Sequence, residues 1–76
     1  MDIKSLMVPN KDKVIQLSLG FGLDLRMTNN LLSLSNNGML YPKVKRDALL
    51  IYCIENHKTV YETNECLMEY QLELLV

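Results

Sequence analysis

Apolar residues recur at helix-like intervals in four stretches, separated by glycine, asparagine and proline. In the first, about Lys11 to Phe21, the residues Val14, Leu17, Ser18 and Phe21, with Ile15 and Leu19 alongside, make a wide apolar face. Asn10 stands ahead of it as an N-cap, and Gly22 fits the left-handed position that follows a helix. Asp24 caps a second helix of about Leu25 to Ser35, with Leu25, Thr28, Leu31 and Leu32 inward and Leu34 at the margin. Asn36-Asn37-Gly38 stops that helix, because asparagine and glycine accept positive φ at low cost. The third helix is expected over about Lys43 to Asn56; its middle is apolar nearly all round, which predicts a central place in the bundle. Thr59 and Glu62 match a capping box and fix the start of a fourth, about Val60 to Tyr70, burying Val60, Thr63, Cys66, Leu67 and Tyr70. Ile3, Leu6 and Met7 ahead of Pro9 add a short fifth helix or an ordered arm.

The two halves of this pattern overlay at a spacing of about 35 residues. Asp12 falls on Asp47, Val14-Ile15 on Leu49-Leu50, Leu19 on Ile54, Leu25 on Val60 and Thr28-Asn29 on Thr63-Asn64. Leu31-Leu32 falls on Cys66-Leu67 and Met39-Leu40 on Leu74-Leu75. The expected fold is therefore an all-α four-helix bundle made of two tandem helical hairpins, about residues 10–40 and 43–75, packed together because neither buries its apolar face alone. Met39, Leu40 and Tyr41, and Leu74-Leu75 in the equivalent place, should fold back to close their hairpins; the alternative for the apolar tail is an exposed end that makes a dimer contact.

Seventy-six residues fit one domain, and a composition 49% hydrophobic with no Trp and one Phe suits helix-on-helix packing. Cys53 and Cys66 lie at no metal-ligand spacing and read as reduced core residues of a cytoplasmic protein. No export signal or membrane-length apolar run is present in the sequence. Net charge is −1, but its distribution is uneven: residues 1–46 hold seven basic against three acidic side chains, residues 47–76 one basic against six acidic. Opposite charges helping the halves dock is one reading; a basic surface for DNA, or an acidic one for a protein partner, is the other.

Catalytic groupings are not evident in the residue pattern. The single histidine, His57, lies in a predicted turn with no ligand at metal spacing, and Gly20-Phe21-Gly22 lacks the third glycine of a dinucleotide loop. Asp47 near a helix start suits a structural group bonded to a neighbouring Arg or a backbone N–H. No enzyme activity, cofactor, metal or small-molecule substrate is expected. Two-helix units with short turns raise DNA recognition, for which Arg26, Asn29, Lys43, Lys45 and Arg46 are the candidate phosphate contacts. Glu62, Glu65 and Glu69, at three- and four-residue intervals, form an acidic stripe that is either a solvated face or a partner-docking edge.

Pro9, Asp12 and Lys13, then Leu40, Tyr41, Pro42, Arg46, Asp47 and Ala48, and finally Leu74 and Leu75, resemble the C-terminal half of Cro/repressor (XRE)-type helix-turn-helix regulators from Gram-positive bacteria. The likeness runs from about Pro9 to the end. It departs from those regulators in having no counterpart of their DNA-reading helices in residues 1–8, and in carrying His57-Lys58 at a turn where they tend to have glycine. The resemblance implies a helical support and interaction part without the DNA reader. The expected function is a non-catalytic regulatory module that contacts another protein or itself; a DNA-binding subunit using the basic half, and an assembly component of a larger complex, are the alternatives.

Overall fold

A computed structural model describes residues 9–76. Four helices account for the regular structure of this part: α1 (Lys11–Phe21), α2 (Leu25–Leu34), α3 (Lys45–Glu55) and α4 (Val60–Glu69). The short helix or arm expected before Pro9 lies outside the described residues.

Each helix start is built by a local side chain, with one exception. Asn10 accepts from Lys13 N–H (2.9 Å), and Asp24 accepts from Met27 N–H (2.8 Å). At α4 the full capping box forms: Glu62 N–H donates to Thr59 Oγ1 (3.0 Å), and Thr59 N–H donates to Glu62 Oε1 (2.9 Å). Helix α3 starts two residues later than the pattern predicted, because Pro42-Lys43-Val44 form a turn and Val44, at the cap, has no side-chain acceptor to offer.

The four helix ends are alike. A residue with positive φ follows each, Gly22 (66°), Asn36 (65°), His57 (53°) and Gln71 (58°). The next N–H then reaches back to a carbonyl of the last turn: Leu23 to Ser18, Asn37 to Leu32, Lys58 to Cys53 and Leu72 to Leu67, all at 2.8–2.9 Å. These closures satisfy carbonyls that would otherwise be orphaned where the chain turns inward.

Helix α1 packs on α2 and α4, and α3 packs on α4 and α2, so the neighbours close into a ring. The core is drawn from the same places in each half: Ile15 and Leu50, Leu19 and Ile54, Leu32 and Leu67, Leu40 and Leu75 are all buried. The fold-back expected for both hairpins is present at Leu40 and Leu75, while Met39, Tyr41 and Leu74 stay exposed. Leu40 N–H donates to Asn29 Oδ1 (3.0 Å) and Leu75 N–H donates to Asn64 Oδ1 (2.8 Å), drawing each leucine under its own hairpin.

Several expected core residues lie outside. Leu17 and Phe21 are exposed, because the buried stripe of α1 is the narrower set Val14, Ile15, Ser18 and Leu19. Tyr70 is exposed because α4 ends at Glu69 and the tyrosine sits at the cap, turned out of the helical register. Leu31 reaches the surface, and α3 is no more central than α1: Ala48 and Tyr52 face outward from it. In a ring each helix has only two neighbours, which leaves every one an outer face.

Candidate interaction surfaces

Charged residues meet where the two hairpins join. Lys11 Nζ lies 2.8 Å from Asp47 Oδ1, and the Arg46 guanidinium meets the Asp12 carboxylate through two hydrogen bonds of 3.2 Å. Lys11 overlays Arg46 and Asp12 overlays Asp47, so each half gives a cation to the other and receives one back. That reciprocity is the signature of a two-fold relation. Backbone groups complete it: Tyr41 N–H donates to Asp47 Oδ2 (3.0 Å), and the equivalent Val76 N–H donates to Asp12 Oδ2 (3.4 Å). Asp47, buried, is thus a structural group as expected, but its cation comes from the other hairpin instead of a neighbouring Arg.

Arg46 also donates through Nε to the Glu73 carbonyl (2.8 Å) and through Nη2 to the Leu74 carbonyl (3.3 Å). Its guanidinium is taken up by the scaffold, and so is Asn29 Oδ1 by Leu40. Arg46 is left without the free, outward group that a phosphate contact needs, while half-buried Asn29 keeps its Nδ2 donor outside that bond. Arg26, Lys43 and Lys45 are exposed. Arg26 lines a shallow pocket of about 370 Å³ with Asp24, Leu25, Ile54, Glu55 and His57, a lining that includes two acidic residues. Lys45 belongs instead to a groove on the second hairpin. The candidate phosphate contacts are therefore divided among the scaffold and separate surfaces.

That groove, about 260 Å³, lies between α3 and the end of α4 and is lined by Lys45, Ala48, Leu49, Tyr52, Tyr70 and Leu72. Its equivalent positions on the first hairpin include Ser35 and Asn37; there Asn37 Nδ2 donates to the Pro9 carbonyl (2.9 Å) and to Ser35 Oγ (2.8 Å). The second hairpin replaces that polar closure with an aromatic and an aliphatic residue and leaves the site open. Sequence reasoning missed the groove by placing Tyr70 in the core; the overlay of Tyr70 on the polar Ser35 was the signal that it faces out.

Glu62, Glu65 and Glu69 are exposed on α4, as are Tyr61 and Met68. The Glu62 carboxyl is held below the ordinary carboxylate range by the Thr59 backbone N–H it accepts from. The other two have no such local task. Cys53 is buried and its thiol is pushed up by that burial, while Cys66 is half-buried; both are free. His57 is exposed in its turn. Among the described residues no three metal-ligating side chains gather, and no helix is long and apolar enough to cross a membrane.

Comparison with protein-family models, with curated proteins and with solved structures finds no match to this chain.

Proposed function

We propose that the protein is a non-catalytic helical module that acts in bacterial regulation by contact with another protein, and that α4 carries the contact. One observation supports this above the others: the two halves share one scaffold yet differ on their outer faces. Where α4 presents Glu62, Glu65 and Glu69, α2 presents Met27, Asn30 and Leu34 at equivalent positions. Apart from Ser18, whose buried hydroxyl has no partner among the described residues, the buried polar groups Asp47, Thr28 and Thr63 and the half-buried pair Asp12 and Arg46 are engaged in holding the fold. What is left to act is therefore surface. An acidic helix flanked by Tyr61 and Met68 suits a basic protein surface with apolar pockets, and repels phosphate. The regulatory setting rests on the resemblance of Leu40-Tyr41-Pro42 and Arg46-Asp47-Ala48 to the XRE-type regulators.

The test is affinity capture from a bacterial lysate with the intact protein and with a Glu65→Lys/Glu69→Lys variant, which leaves the capping box untouched. The expected outcome is a protein retained by the first and lost by the second. Equal retention by both would remove α4 from the contact. Binding to duplex DNA at about 50 mM salt, where a phosphate-led contact is strongest, would favour the DNA-binding alternative instead.

A further inference from the structure

The chain contains two cysteines, and the fold brings them together across one helical hairpin. Cys53, in the last turn of α3, is fully buried; the thiol of Cys66 on α4 lies within hydrogen-bonding reach of its sulfur, beside the Thr63 hydroxyl. Cys66 itself is half-buried, so solvent reaches one sulfur of the pair and not the other. Both are free thiols. Helices α3 and α4 are otherwise held by packing, with Leu50, Ile54 and Leu67 in the shared core, and by the short turn of residues 56–59.

The internal repeat supplies a control. In the first hairpin the equivalent positions hold Ser18 and Leu31. The scaffold therefore asks for sulfur at neither place, yet the second hairpin carries it at both. A need for a small apolar filler accounts for one cysteine at a time; it does not account for two that face each other.

We propose that Cys53 and Cys66 are a reversible dithiol–disulfide pair, which bridges α3 to α4 when a low-molecular-weight disulfide such as oxidised glutathione is in excess over its thiol. This goes beyond the α4 contact proposed above and is read without any partner. The exposures set the order of events. The Cys66 thiolate attacks one sulfur of the small disulfide; a new S–S bond forms to Cys66, the old one breaks, and the first small thiolate leaves and takes up a proton. Cys53 Sγ, on giving up its own proton, then attacks Cys66 Sγ and expels the second small thiolate, which takes that proton. The two cysteines have lost two electrons and two protons, and one small disulfide has become two small thiols. With the sulfurs already side by side, side-chain rotation and a small shift of the two helices bring them to bonding geometry. The bridge closes residues 53–66 into a loop around the turn, which restricts the unfolded chain more than the folded one.

The test is to equilibrate the full chain, folded, in mixtures of reduced and oxidised glutathione and to follow intact mass, free thiols and thermal midpoint. The expected product is one copy of the chain lighter by two hydrogens, with both thiols lost, a raised midpoint, and full reversal by excess reduced glutathione. Trypsin cuts after Lys58, between the cysteines, so segments 47–58 and 59–76 should stay joined until reduced. The equilibrium constant for bridging should exceed that of the same chain in urea by at least about tenfold, since the fold brings the sulfurs together. Cys53→Ser, which copies Ser18, should take up one glutathione at Cys66; Cys66→Leu, which copies Leu31, should form neither a bridge nor a glutathione adduct. A lasting glutathione adduct in place of the bridge, a disulfide formed only between two copies, a constant no greater folded than in urea, or a lowered midpoint would each overturn the proposal.

Discussion

Thr28 and Thr63 occupy one environment twice: each is fully buried in the first turn of its helix, and each donates its hydroxyl at 2.8 Å to the carbonyl four residues back, Asp24 and Thr59 respectively. In an isolated helix that bond would only compete with the backbone. Buried in the core, it lets a short polar side chain sit inside without an orphaned hydroxyl.

Equivalent core positions should therefore cost similar amounts when truncated. Leu32 and Leu67 are both fully buried, and Leu→Ala at either is expected to lower stability by about 2 to 5 kcal/mol in urea denaturation. The two losses should agree to within about 1 kcal/mol, because the surroundings are shared as well as the residue. A large cost at one and none at the other would mean that the halves do not share one core.

The reciprocal ion pairs should not be equal. Asp47 is almost fully buried and Asp12 is not, so removing the acceptor strands more at the first site, where Lys11 and Tyr41 N–H both lose it. Asp47→Ala is expected to cost about 2 to 4 kcal/mol and Asp12→Ala about 1 to 2 kcal/mol, by chemical denaturation. The opposite ranking would assign the main structural role to the Arg46 pair.

Ser18 breaks the symmetry of the polar core. Its hydroxyl is buried and, among the described residues, meets no hydrogen-bond partner, whereas Cys53 at the equivalent position brings a thiol that is far cheaper to bury. Ser18→Cys should raise stability by about 1 kcal/mol, measured as an upward shift in the denaturation midpoint. A loss of similar size would show that the Ser18 hydroxyl is satisfied.

The repeat made most of this fold legible before any coordinates. Helix limits followed from Asn10, Asp24, Thr59 and Gly22, whose chemistry acts on the residues beside them, and they fall within one residue of the observed limits apart from the start of α3, which comes two residues later. Less legible was which apolar residue faces in. Leu17, Leu31 and Tyr70 are as apolar as their buried neighbours, and only the angle at which four helices meet decides against them. The ion pairs were hidden for a related reason: Lys11 and Asp47 are distant in sequence, and the pattern offered Asp47 a nearer arginine. The exposure of the α4 glutamates was legible because one residue type dominates that face.

Three of the four left-handed positions that follow the helices are held by side chains that adopt this conformation at a cost, His57, Gln71 and Asn36, while Gly22 holds the fourth without one. His57→Gly and Gln71→Gly should each raise stability by about 0.5 to 1 kcal/mol, and Gly22→Ala should lower it by about 1 kcal/mol. Nothing crowds the added methyl at Gly22, so any loss there comes from the backbone alone. Asn36 tolerates the region better than the other two, and Asn36→Gly should give the smallest gain of the three.

The capping box of α4 predicts a pH dependence whose sign can be worked out. Accepting the Thr59 N–H favours the charged Glu62 carboxyl and so depresses its folded pKa below the ordinary 4.5. A group depressed on folding contributes stability that is fully present above its unfolded value and lost as pH falls through its folded one. Glu62→Gln keeps an acceptor for the Thr59 N–H, a pairing the capping box allows, but cannot titrate. The thermal midpoint of the unaltered chain minus that of Glu62→Gln should therefore hold steady near neutral pH and shrink as pH drops below about 4.5. Other carboxylates titrate in both proteins and cancel from the difference. A difference that stays flat from neutral pH into the acid range would show that the Glu62 charge contributes nothing to holding the start of α4.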